Sequence, residues 1–186
     1  MPLTEEDYQQ AAEKLNCEVA AIKAVAEVES GPHGAFLPTG EPVILFERHK
    51  FSKLTGRKYD ATHPGISNRT PGGYGPVSQQ HARLAEAAAL DREAALQSCS
   101  WGRFQVMGSN WKTLEYTSLQ DFINSMYQGE AGHLDSFVRF VKVNNLARHL
   151  RNKNWAAFAL GYNGKTYKKN RYDTKLAAAY AKHRKQ

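Results

Sequence analysis

Apolar residues recur three and four positions apart along nearly the whole of this 186-residue chain, and the spacing gives way once, between Phe36 and Glu47. That pattern commits the chain to helices burying one stripe each, with room for one small extended element. Thr4 precedes Glu5-Glu6-Asp7 as in a capping box, and Leu3 can staple onto Tyr8. This first helix is predicted to end near Asn16, which can itself cap a second helix running to Glu29, where Ser30-Gly31-Pro32 breaks it. An alanine-rich helix is predicted from Ser78 to about Gln97. A capping-box-like start at Ser118 and Asp121 opens the stripe Leu119, Phe122, Ile123 and Met126. Leu134, Phe137, Val138 and Val141 mark the next helix, and Trp155, Phe158, Ala159 and Tyr162 the one after Asn154. A last helix, capped by Asp173, runs through Leu176 and Tyr180 into Lys182-His183-Arg184-Lys185.

Where the period changes, Pro38-Thr39-Gly40 signals a turn and Pro42 to Phe46 reads as a strand, so a β-hairpin is predicted. Tyr59 to Pro76 is rich in Gly, Pro, Ser, Thr and Asn and reads as a long loop, a candidate cleft rim. No repeat, heptad or inter-domain linker interrupts the chain. The expectation is one α+β domain over residues 1–186, predominantly α-helical, with a small β-hairpin beside a cleft. Apolar residues at 41% and charged residues at 23% exclude a disordered or collagen-like chain, and two cysteines exclude a disulfide-dense one. Cys17 and Cys99 read as reduced, small apolar residues. The longest apolar run, Val43 to Phe46, is far short of a membrane span, and the acidic N-terminus lacks a secretory signal. The chain is therefore expected to be made in the cytoplasm. Its net charge of +7 favours anionic partners without choosing among them.

Two carboxylates are candidates for chemistry. Val19, Ile22 and Ala26 define the inward stripe of the second helix, and Glu29 falls on it while Glu27 points away. A carboxyl at the inner C-terminal end of a helix loses hydration and meets the negative end of the macrodipole. Both effects favour the neutral acid that general acid catalysis needs. If Pro42 to Phe46 is a strand, Val43, Leu45 and Glu47 share a face, and Glu47 can be the second member of a carboxylate pair. Glu41, in the turn beside Pro42, is its rival. No His-x-His, His-Glu-x-x-His or close Cys-His cluster is present, so no metal or other cofactor is expected. Tyr167-Lys168-Lys169-Asn170-Arg171-Tyr172 interleaves bases with aromatics, which suits a nucleic-acid groove or, more commonly, a solvated basic face.

Three segments carry a family resemblance. Ala24 to Gly31, with Glu29-Ser30, resembles the helix-end Glu-Ser of goose-type lysozymes and soluble lytic transglycosylases, whose glutamate is the catalytic acid. Ser100 to Met107 resembles their Gly-Leu-Met-Gln segment, with Gly102 and Gln105 aligned and Arg103-Phe104 departing; it is also similar to a segment of family 19 chitinases. Ala159 to Gly164 is similar to their Ala-x-Tyr-Asn-x-Gly. With Ile44 to His49 added, the chain most resembles the N-acetylmuramidase catalytic domain of phage endolysins. That resemblance implies a lysozyme-like fold and cleavage of the β-1,4 bond between N-acetylmuramic acid and N-acetylglucosamine in peptidoglycan. It implies Glu29 as the acid, Glu47 as the second carboxylate, and Gln105, Tyr162 and Asn163 as substrate-binding residues. Some relatives manage without a second carboxylate. The partner implied is the glycan strand, reached through an anionic envelope by the basic surface of a monomer, with no separate wall-binding domain and no nucleic acid. Action on the wall in the periplasm follows. A lytic transglycosylase and a non-catalytic wall-binding module are the alternatives.

Overall fold

The computed structural model describes residues 2–29 and 34–185. Helix α1 (Glu5–Leu15) opens with the predicted capping box: the Asp7 N–H donates to the Thr4 hydroxyl at 3.2 Å and the Thr4 N–H to Asp7 Oδ2 at 2.8 Å. Asn16 closes this helix in the left-handed conformation, with φ 49°, rather than opening the next. Asparagine tolerates that conformation better than most residues, which makes it a good helix stop. Helix α2 (Val19–Glu29) follows, and the break predicted at Ser30-Gly31-Pro32 lies outside the described residues. Ala21, Ile22, Ala24, Val25 and Ala26 are all buried, because α1 packs on one side of α2 and the last helix on another. Glu27 points outward, where its Oε2 meets Lys182 Nζ at 2.8 Å and His183 Nε2 at 2.7 Å.

The predicted hairpin forms in a minimal version. The turn at Pro38-Thr39-Gly40 is present, closed by Gly40 N–H to the Leu37 carbonyl at 2.9 Å, but Phe36 meets Pro42 in a single isolated bridge. The Leu37 N–H donates to the Glu41 carbonyl at 2.8 Å and the Val43 N–H to the Ala35 carbonyl at 2.9 Å, one bond on each side of that bridge. Strand β1 (Ile44–Phe46) pairs with β2 (Cys99–Trp101), which turns back into β3 (Val106–Met107) in an antiparallel sheet of order β1-β2-β3. The short helix α3 (Arg48–Leu54) begins directly after Glu47.

The alanine-rich segment forms two helices, α4 (Gln80–Leu90) and α5 (Arg92–Gln97), after a single 3-10 turn at Val77–Gln79. Asp91 breaks it: extended at φ −157°, it caps α5 by accepting the Ala94 N–H at 2.9 Å. Ser118 caps α6 (Leu119–Gln128) as predicted, and α7 (Glu130–Val143) carries the central stripe Leu134, Phe137, Val138 and Val141. After α8 (Ala147–Arg151), Asn154 caps α9 (Trp155–Asn163). Helix α10 (Tyr172–His183) starts from Arg171, at φ 55°, so Asp173 sits in its first turn and is not the cap.

The sheet packs on α4, α5 and α7, while α1, α2, α9 and α10 form the helical side. One hydrophobic core joins them, centred on Phe104, Phe137, Phe158 and Tyr162; the Phe104 and Phe137 rings stack at 4.9 Å. The long loop is tied to the sheet side: the Gln80 side chain accepts the Phe46 N–H at 2.9 Å and donates to the Tyr74 carbonyl at 2.6 Å. Cys99 is buried and Cys17 half-buried, both free thiols. Among the described residues no helix is long and apolar enough to cross a membrane.

Candidate active site

A cavity of about 280 Å³ opens where the sheet meets the helical side. Its wall takes Glu29 from the end of α2, Gln105 and Met107 from the β2–β3 region, Phe140 from α7, and Tyr162 and Asn163 from α9. Among the described residues Glu29 is the one carboxylate that lines it. The stripe that buries Ile22 and Ala26 continues one turn to Glu29, so the packing of α2 aims this carboxyl into the cavity.

Burial raises the Glu29 carboxyl from 4.5 to about 7, although a hydrogen bond from Asn163 pulls the other way. Asn163 Nδ2 donates to Glu29 Oε1 at 3.2 Å, while Asn163 Oδ1 is buried with no partner among the described residues. An amide turned by half a rotation presents that oxygen as an acceptor for the protonated acid, so Asn163 can serve either charge state. Below about pH 7 Glu29 keeps its proton in a site open to a substrate.

The turn between β2 and β3 forms the opposite wall, and three contacts fix it. Tyr162 donates its hydroxyl to the Phe104 carbonyl at 2.7 Å. The Arg103 N–H donates to His133 Nδ1 at 3.1 Å, and His133 Nε2 lies 2.8 Å from the Met126 carbonyl, so the ring carries its proton on Nε2. Burial holds His133 down at about 4, which keeps it neutral in this role. Gly102 makes the approach feasible: at φ 67°, a Cβ there would lie 2.6 Å from the His133 ring. Arg103 then crosses to the helical side, with Nε 2.9 Å from Glu130 Oε2 and Nη1 3.3 Å from the Ala26 carbonyl of α2.

These contacts refine the roles of the residues read from the sequence. Glu29, Gln105, Tyr162 and Asn163 all meet at the one cavity. Gln105 is exposed at its edge, in the left-handed conformation at φ 49°. Its Nε2 donates to the Gly102 carbonyl at 2.8 Å and its Oε1 accepts from Ser100 at 2.7 Å. Tyr162 spends its hydroxyl on Phe104 and stacks on Phe158 at 5.6 Å, so it shapes the wall. Glu47 does not line the cavity. Its Oε2 lies 3.5 Å from His49 Nε2, with the side chain 17% exposed. The sheet register relates it to the site nonetheless: Leu45 pairs with Ser100 and Ser100 with Met107. Opposed residues share a face, so Glu47, two on from Leu45, shares the face whose far edge is Met107, two strands or about 10 Å across. Glu41 pairs with His81 at 3.5 Å in the turn. No described residue of the long loop lines this cavity.

Sequence reading missed Arg103, His133, Asn110 and Tyr172. The last two line the cavity and the first two hold its wall. His133 lies on the buried stripe of α7 beside Leu134 and Phe137, a position that signals a core histidine without revealing what it binds.

The family model for N-acetylmuramidases matches residues 18–184. A comparison with curated proteins gave no significant match. Among solved structures, the crystal structure of the Burkholderia AP3 phage endolysin is 42% identical, with a TM-score of 0.93, covering 99% of this chain and 72% of that one. The chain belongs to the N-acetylmuramidase family and is a peptidoglycan-cleaving enzyme.

Proposed function

We propose that this chain hydrolyses the β-1,4 bond between N-acetylmuramic acid and N-acetylglucosamine, with Glu29 as general acid, in the manner of a lysis enzyme of a phage. The observation that carries this reading is the Glu29 carboxyl, raised by burial to about 7 on the wall of an open cavity. A glycosidic oxygen leaves poorly as an alkoxide, and a neutral carboxyl within hydrogen-bond reach protonates it as the bond breaks. Asn163 steadies the carboxylate left behind, and Gln105 and the Tyr162-braced turn flank the sugars. Glu47 is the second carboxylate, facing the same side of the sheet, where it activates water or offsets the charge of the oxocarbenium-like state.

The excess of positive charge serves to hold the enzyme on an anionic wall. Lys165, Lys168, Lys169 and Arg171 are exposed between Asn163 and Tyr172, both of which line the cavity. The test of the reaction is a digest of purified peptidoglycan. Hydrolysis gives muropeptides with reducing N-acetylmuramic acid ends; anhydro-muramyl ends would replace this reading with transglycosylation.

A further inference from the structure

Outside the Glu29 cavity, a second pocket of about 470 Å³ lies against α3, lined by His49, Ser52, Lys53, Gly56, Arg57 and Arg69. Lys53, Arg57 and Arg69 are exposed, and none of them has a carboxylate within ion-pair distance among the described residues. The nearby acid is Asp60. Its Oδ2 accepts from Ser52 at 3.1 Å and its Oδ1 from Ser67 at 2.6 Å, so it ties the loop to α3 without pairing directly with any of the three cations. Asp60 offsets part of the charge of Arg69 and Arg57, and an anion seated among the three cations relieves the repulsion that is left.

The pocket is also joined to the proposed reaction site. His49 lines it and reaches Glu47 at 3.5 Å, and Glu47 immediately precedes α3. At 1.5 Å per residue, the pocket residues on α3 begin within about 10 Å of Glu47. His49 Nδ1 is buried without a partner among the described residues, an unspent donor or acceptor at the same place.

We propose that this pocket is an anion subsite that receives a carboxylate of the peptide stems carried by the glycan strand. The inference rests on the proposed function, since it is the peptidoglycan substrate that brings stems with free carboxylates past Glu47. Arg57 and Arg69 present guanidinium forks that suit a carboxylate, and Lys53 adds a point charge. The pocket then selects peptide-bearing glycan over bare polysaccharide.

The experiment compares wild type with Arg57→Gln/Arg69→Gln on two preparations of one peptidoglycan: native, and with its carboxylates converted to amides by carbodiimide and ammonia. Both positions are exposed, and a thermal melt matched to wild type verifies folding. Rates and co-sedimentation with the wall are both measured. The double variant should need about three- to tenfold more native wall for half-maximal rate, at unchanged kcat, as expected for two exposed charge contacts. Amidation should close that gap: the general attraction through Lys168, Lys169 and Arg171 weakens equally in both proteins, and wild type alone loses the subsite contact besides. A variant equal to wild type on native wall, or a gap that persists on the amidated wall, would overturn the proposal. So would unchanged wall affinity with lost binding to lipopolysaccharide vesicles, which assigns the pocket to phosphate. Arginine-dependent sedimentation without any turnover by wild type would overturn the proposed function and leave the subsite standing.

Discussion

Replacing Glu29 by Gln should stabilise the protein at alkaline pH and leave its stability unchanged in acid. The carboxyl rises from 4.5 to about 7 on folding. At about 1.4 kcal/mol for each pH unit, the folded state disfavours the charged form by roughly 3 kcal/mol. Below 4.5 the group is neutral in both states, so glutamine changes little. As pH rises further, the unfolded chain ionises while the folded one does not, and wild type loses stability progressively. Above about 7 the folded carboxyl ionises too, and the loss is complete. Glutamine keeps the shape and the hydrogen bond from Asn163 but never carries the charge. Because the side chain is partly open to the cavity, about 2–3 kcal/mol is a fair range, which for a chain of this length corresponds to roughly 5–10 °C in Tm. Paired thermal melts of variant and wild type from pH 4 to pH 8 read it directly. The depressed His133 is common to both proteins and cancels in the difference. A difference that stays flat across this range, or wild type the more stable at pH 8, would refute the buried neutral acid.

Activity should fall as pH rises through about 7, because the general acid must hold its proton; a pH–rate profile on purified peptidoglycan in which activity still climbs from pH 7 to 9 would contradict this. Glu47→Gln should lower turnover by at least about tenfold with wall binding intact, and wild-type turnover would reduce Glu47 to a partner of His49. Replacing Lys168, Lys169 and Arg171 together by Gln should weaken sedimentation with the wall and flatten its salt dependence, since screening shortens from about 10 Å at 0.1 M to about 3 Å at 1 M. Turnover of a short soluble glycan by that variant should stay near wild type, and an unchanged salt response would make these residues a solvated face only.

Much of this was legible in residue spacing. The stripe through Ile22 and Ala26 pointed to Glu29 as an inward carboxyl before any fold was known, and local capping chemistry at Thr4, Ser118 and Asn154 located three helix starts. What failed did so where long-range pairing decided the outcome. The partner of β1 lies more than fifty residues on, at Cys99–Trp101, so local spacing reached the Phe36–Pro42 bridge but not the three-stranded sheet. Asp91 capped a helix from within an alanine-rich run whose composition showed no break. The roles of Tyr162 and Gln105 were invisible for the same reason. Each spends its polar atoms on backbone or neighbouring groups of the β2–β3 turn, and that turn meets α9 only in the folded core.

The central claim is that Glu29 supplies the proton. Its most direct test is the rate at which Glu29→Gln releases reducing ends from purified peptidoglycan, measured beside its circular dichroism and its sedimentation with the same wall. The account predicts a loss of about 100- to 10,000-fold with fold and wall binding unchanged. A folded Glu29→Gln protein that keeps more than about a tenth of wild-type activity would contradict it.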